Sequence, residues 1–308
     1  MIFLPYKVDV SLTRIPIATI LICLGCIFTF LSQQDADNQF AEGLDNYCQQ
    51  EVNTSLRQLL RNVAHADKGD HCAEIFLAIR ESHKPDEKIR ELAISATPLK
   101  LFAHREDEIK YLIERLSDGY GRFDESVPRS LTQKLQYNPN QYNVWRMITS
   151  IFSHANWGHL IGNILFFYMF STVVEMIVGS TLLLLSMVLM SVTTSLAYSY
   201  SVHGVQEALP TIGLSGIVMG MMAMLVVIIP TVKVKCFFWF LLIFRTFQFP
   251  ALFVATWYIG WDIYSLADSG ADSTVNYVAH VSGAVTGIML GLFYRLCKPD
   301  YVRTLLEC

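Results

Sequence analysis

Four side chains in this sequence are placed to do chemistry together: Ser215, His280, His159 and Asn163. Ser215 lies in Thr211-Ile212-Gly213-Leu214-Ser215-Gly216, at the head of an apolar run that closes at Pro230. His159 and Asn163 are four residues apart and so share one helix face. His280 sits in Ala279-His280-Val281-Ser282-Gly283. A serine hydroxyl is a weak nucleophile until a neighbouring base takes its proton. An imidazole can accept that proton during attack and return it to a leaving amine. A backbone N–H at a helix start, with polar side chains beside it, can meet the oxyanion that develops. The expected roles are Ser215 as nucleophile, His280 as general base, and His159, Asn163 and the Ser215 N–H as oxyanion donors. No buried aspartate is expected to orient His280, so the expectation is a dyad.

These residues must be brought to one level and side by side. Ser215 is 15 residues from Pro230, Asn163 is 16 from Gly179, and His280 is 15 from Arg295. Those spacings put all three ~22–24 Å up their helices. A hydrocarbon core is about 30 Å thick, so the shared level lies beneath the far surface. Irregular backbone at that depth must line a protein-enclosed, wet cavity. Lateral approach is carried by Gly216-xxx-Gly220 facing Gly283-xxx-Gly287-xxx-Gly291, since small residues at four-residue spacing let helix backbones meet. Each piece alone has a plainer reading. Gly-x-Ser-Gly in a membrane helix is ordinarily packing, it lacks the Gly-x-Ser-x-Gly of the soluble hydrolase elbow, and a lone intramembrane histidine can be a satisfied packing residue. Met219 reads as core and His154 as an interfacial supporting donor. Glu175 reads as reaching water at the boundary, and Asp262 as satisfied by a neighbouring helix.

The elements that carry them are membrane spans. The 308 residues are 53% hydrophobic with mean hydropathy +0.37. Residues 35–140 hold 19 of the 27 acidic and 14 of the 23 basic side chains. No Lys or Arg occurs between Arg146 and Lys233 or between Arg245 and Arg295. Spans are expected near 14–33, 157–179, 181–200, 213–230, 250–267 and 276–295. The first is too long for a signal peptide and lacks a clean cleavage site, so it is expected to be retained. Six spans put Lys7, Arg14, Lys233, Lys235, Arg245, Arg295, Lys298 and Arg303 on one side, which is then cytoplasmic with both termini. The opposite loops carry only Glu207, Asp268 and Asp272 as charges. Residues 236–249, apolar and aromatic but short, are expected to lie in the interface.

The expected fold class is an all-α polytopic membrane protein, a six-helix bundle with an extracytoplasmic helical insert. The domains read as 1–34 (cytoplasmic lead and first span), 35–140 (insert), 141–296 (membrane core) and 297–308 (cytoplasmic tail). Insert helices are expected near 54–66, 72–83, 86–96 and 106–117, punctuated by Pro85, Pro98, Gly119 and Gly121. Cys48 and Cys72 fall in an oxidising compartment, where a disulfide is expected over two separate thiols. His65, His71, His83 and His104 lack ligand spacing and read as surface residues. Cys23, Cys26, Cys236, Cys297 and Cys308 show no metal spacing, and neither metal nor cofactor is expected.

The joint pattern resembles the rhomboid family of intramembrane serine proteases. The matching residues are Trp145-Arg146, His154-xxxx-His159-xxx-Asn163, Gly213-Leu214-Ser215-Gly216 and Ala279-His280-xx-Gly283-xxx-Gly287, across about 140–296. The resemblance implies Ser215 as nucleophile, His280 as base and an oxyanion hole of His159 and Asn163. Trp145, Arg146, Gly213, Gly216, Gly283 and Gly287 are then structural residues near the site. It also implies a substrate that is itself a transmembrane helix, cut near its extracytoplasmic end, with small residues favoured at the cut. Two positions depart from the pattern: Met219 stands where some members have a tyrosine under the imidazole, and Leu214 where many have alanine. The expected partners are transmembrane substrates and the lipid bilayer, not nucleic acid. The expected location is a bacterial inner membrane. A catalytically inactive, client-binding relative would be expected to lose Ser215 or His280, and both are present. A small transporter lacks support, because no acidic residue is expected at the Ser215 level and no inverted repeat is evident. The span 250–267 is a candidate lateral gate, with Ser269-Gly270 as its flexible pair.

Overall fold

The computed structural model describes the chain except for residues 1, 10–13, 67, 83, 100, 101, 206, 207, 241, 242, 270–272, 274 and 308. His83, Glu207, Gly270, Asp272 and Cys308, named above, therefore lie outside the described residues. In chain order the elements are β1 (Ile2–Val8), α1 (Ile17–Asn46), α2 (Thr54–Val63), α3 (Cys72–Glu81), α4 (Pro85–Ser95) and α5 (Arg105–Ser126). They continue with α6 (Leu131–Leu135), α7 (Val144–Thr149), α8 (Trp157–Val178), α9 (Ser180–Ser201) and α10 (Ser215–Ile228). The last are β2 (Lys233–Phe240), β3 (Ile243–Pro250), α11 (Ala251–Ser269), α12 (Tyr277–Cys297) and α13 (Pro299–Glu307). Two compact units result: Met1–Gln33 with Thr132–Cys308, and Gln34–Leu131.

The first unit is a polytopic helical bundle of the all-α class that also carries one small three-stranded sheet. Ile17–Glu51, α8, α9 and α12 are long and apolar enough to cross a membrane. α10 and α11 correspond to the other two expected spans but fall outside that set. α10 has only 14 residues, ~21 Å of helix. α11 is long enough, but Asp262, Asp268 and several Trp and Tyr residues lower its hydropathy. α10 is buried all round from Gly216 to Val226, the mark of a central helix. Its backbone meets that of α12 directly. A methyl group at Gly283 would overlap the Gly216 carbonyl, and one at Gly287 would overlap the Gly220 carbonyl. The other face of α12, with Val285, Met289, Leu292 and Leu296, is exposed and apolar, as lipid contact requires.

Glu175, expected to reach water, is instead buried and binds the start of α1. Its carboxylate accepts the N–H groups of Ala18 (3.0 Å) and Thr19 (2.8 Å) and the hydroxyls of Thr19 (2.7 Å) and Ser180 (2.6 Å). A helix start leaves unpaired donors, and an anion there satisfies them.

Residues 236–249, expected as a segment in the interface, are not an isolated stretch of chain. They belong to an antiparallel hairpin of β2 and β3, with Phe240 opposite Ile243 and Lys233 opposite Pro250. β1 pairs along the other edge of β2, Val8 opposite Val234. Aromatic and β-branched residues favour strands, and the hairpin pairs the backbone polar groups that an isolated segment would leave open. Val234 and Cys236 are buried while Lys233 is exposed, the alternation of a strand with one covered face.

The second unit packs α2 to α5 and the end of α1 around Leu60, Phe76, Ile79, Leu112, Leu116 and Phe123. Cys48 and Cys72 form a disulfide. α5 continues to Ser126, through Gly119 and Gly121, which were expected to break it. Gly119 is a close-approach residue. A Cβ there would lie 2.9 Å from the Phe76 ring, and the Gly119 carbonyl accepts the Tyr47 hydroxyl at 2.6 Å. Arg80 donates to the carbonyls of Phe123 (3.1 Å) and Val127 (2.9 Å) and sits 4.2 Å over the Phe123 ring. Burial lowers the pKa of its guanidinium, and the facing Asp124 carboxylate opposes that shift.

Candidate active site

Ser215 is the first residue of α10. The loop before it is held by Tyr137 and Thr211, which exchange backbone hydrogen bonds of 3.0 and 2.8 Å. Gly213 donates its N–H to the Ser150 carbonyl at 2.9 Å and adopts φ +106°, a conformation that glycine alone takes without strain. Leu214, at the N-cap of α10, has no side-chain oxygen to cover the first amides. Asparagine caps start the other two helices of the site. Asn156 Oδ1 accepts the His159 N–H at 2.9 Å at the head of α8. Asn276 Oδ1 accepts the Ala279 N–H at 2.9 Å at the head of α12, and its amide donates to Thr211 Oγ1 at 3.2 Å.

These starts bring Ser215 Oγ to 2.8 Å from His280 Nε2. His280 Nδ1 lies 2.9 Å from Asp262 Oδ2, on α11. The expectation that no carboxylate is placed to orient His280 is therefore corrected. Both side chains are largely shielded, His280 15% and Asp262 12% accessible.

His159 and Asn163 converge on Gly213. A Cβ on Gly213 would lie 2.7 Å from His159 Nε2 and 3.5 Å from Asn163 Nδ2, so no larger residue fits between them and the backbone. His159 Nδ1 accepts the Ala155 N–H at 3.4 Å, a bond that leaves Nε2 as the protonated nitrogen of a neutral ring. Asn163 is buried, and its Nδ2 has no hydrogen-bond partner among the described residues.

His154 is buried in the protein, and its ring packs edge-on to His159 at 5.1 Å. Its backbone N–H is held at 3.1 Å by Gln33 Oε1, and the Gln33 amide donates to Ser153 Oγ at 2.8 Å. Trp145 and Arg146 lie on α7 away from the cavity wall, Trp145 being 78% exposed. α7 contributes instead through the Met147 carbonyl, which accepts the Ser191 hydroxyl. Leu214 and Met219 are buried in the bundle.

The site opens into a cavity of about 800 Å³. Ser191, Thr194, Ser195 and Tyr198 of α9 give it a hydroxyl-bearing wall, which suits water in an otherwise apolar bundle. Among the described residues no cluster of His, Cys, Asp or Glu could hold a metal ion. Sequence reasoning missed Asp262 as a partner of His280, Gln33 as a clamp on His154, and the two asparagine caps. Only the caps carried a local signal, a cap-type residue just before an apolar helical run.

Spanning helices around a short central one, with polar groups meeting inside, define an integral multi-pass membrane protein with an internal hydrophilic site. Residues 141–297 match the family model described as Rhomboid domain, just over half of the chain. The chain belongs to the rhomboid family, as either an intramembrane protease or an inactive relative. It is 32% identical over 166 residues to "Rhomboid-like protein 11, chloroplastic" of Arabidopsis thaliana. That match covers 51% of this chain and 55% of that protein, so the chain spans about half the length of this curated relative.

Proposed function

We propose that the protein is an intramembrane serine endopeptidase that cuts transmembrane segments of other proteins near their extracytoplasmic end. The observation that carries the reading is the 2.8 Å contact between Ser215 Oγ and His280 Nε2. Ser215 Oγ attacks the scissile carbonyl while His280 Nε2 takes its proton. The oxyanion receives the Ser215 N–H, His159 Nε2–H and Asn163 Nδ2–H, and the unpartnered Asn163 amide at Gly213 supports that assignment. His280 then gives its proton to the leaving amine, and water from the cavity hydrolyses the acyl-enzyme. Gly216, Gly220, Gly283 and Gly287 let the two reacting helices pack backbone to backbone, and Gly213 leaves room for His159 and Asn163 beside the serine loop.

A peptide bond inside a regular helix is shielded, so the substrate unwinds before it reaches the serine. The basic residues near both ends support cytoplasmic termini and an extracytoplasmic insert. The test is cleavage of a transmembrane reporter by the full-length protein in liposomes. Ser215→Ala is expected to abolish cleavage and leave the melting temperature unchanged. Cleavage that persists in Ser215→Ala contradicts the proposal. Reporter binding without cleavage by the wild type would favour a client-binding role.

A further inference from the structure

We propose that Asp262 is a positioning residue for His280, so that the site works as a Ser215–His280–Asp262 triad with its third member on α11. The inference rests on the protease reading above. Asp262 Oδ2 lies 2.9 Å from His280 Nδ1, while Ser215 Oγ lies 2.8 Å from the other ring nitrogen, Nε2, so the imidazole bridges the carboxylate and the hydroxyl. The placement is specific within α11. Trp257, Trp261, Ile263 and Tyr264 are exposed on that helix, whereas Asp262 and Ser265 form its buried polar face.

An ionisable group inside a membrane protein is costly to keep without a partner. Among the described residues the only ion-pair partner of Asp262 is His280. For His280 Nε2 to take the serine proton, the ring proton must reside on Nδ1. A carboxylate at Nδ1 fixes that tautomer and the ring orientation. When Nε2 gains the serine proton, the imidazolium that forms lies against the carboxylate, which stays ionised and takes up no proton. Other contacts hold the ring less firmly. Tyr277 lies edge-on with its centroid 6.1 Å away, and Met219 offers no aromatic face.

A mere packing contact between α11 and α12 would cost stability, whereas a positioning role costs turnover. The experiment compares kcat, KM and melting temperature of the full-length wild type, Asp262→Asn and Asp262→Glu on one reporter in liposomes. Asp262→Asn keeps the shape but not the charge. It is expected to lower kcat roughly 10²- to 10⁴-fold, with KM held within about twofold. Its melting temperature is expected to match the wild type, and Asp262→Glu is expected to recover part of the lost turnover. A kcat for Asp262→Asn within about threefold of wild type overturns the proposal. So does a loss that tracks a fall in melting temperature in both variants alike. Failure of the protease reading would look different: wild-type turnover unaffected by Ser215→Ala, whatever happens at Asp262.

Discussion

The two compact units fix their polar atoms by different means. In Gln34–Leu131, charges meet near water: Arg57 pairs with Asp70 at 3.1 Å, Lys84 with Glu87 at 2.7 Å and Arg122 with Asp118 at 3.0 Å. A disulfide and an apolar core built around Tyr47, Phe76 and Phe123 tie that small unit together. In the membrane unit, paired charges are few among the described residues, and the helices α10 and α12 meet backbone against backbone. Gly216 and Gly220 lie against Gly283 and Gly287, while the buried carboxylates Glu175 and Asp262 bind N–H groups, hydroxyls or an imidazole. The difference follows from the two solvents. Lipid gives no hydrophobic drive between helices, so close packing must supply it, and each buried polar atom needs a protein partner.

The largest effect that would sharpen this contrast is expected at Gly283. Gly283→Leu forces α10 and α12 apart and should cost about 3 kcal/mol or more, with loss of any activity. Gly162→Ala, where nothing lies within 4 Å, should leave the melting temperature in detergent unchanged. Equal tolerance of both changes would break the comparison. Next comes the insert: replacing Cys48 and Cys72 by serine should destabilise it by ~3 kcal/mol, read as faster proteolysis within 34–131. Glu175→Gln should follow, weakening the hold on the start of α1 by about 2 kcal/mol, measured by thermal unfolding. Smallest is the exposed Lys84–Glu87 pair, whose removal should not measurably shift unfolding.

The parts of the fold legible in the sequence were those that depend on position along a helix. Spacing from Pro230, Gly179 and Arg295 set the level of Ser215, Asn163 and His280, and the glycine repeats named the faces that meet. Asp262 escaped because its contact depends on how α11 is rotated and which helix it faces, which the local sequence does not carry. The hairpin of β2 and β3 escaped because alternation is clear only at 233–236, before the run of aromatics. α5 was cut short because Gly119 was read as a break, whereas it admits the Phe76 ring. Glu175 lies near a helix end, and its burial arises only once α1 docks against it.

The central claim, that His280 makes Ser215 nucleophilic inside the bundle, is tested most directly by reaction of the full-length protein with a fluorophosphonate probe, followed by mapping of the modified residue. The account predicts modification at Ser215 in the wild type and its loss in His280→Ala. Modification of Ser215 that proceeds equally well without the imidazole, or a wild-type Ser215 that does not react, would contradict it.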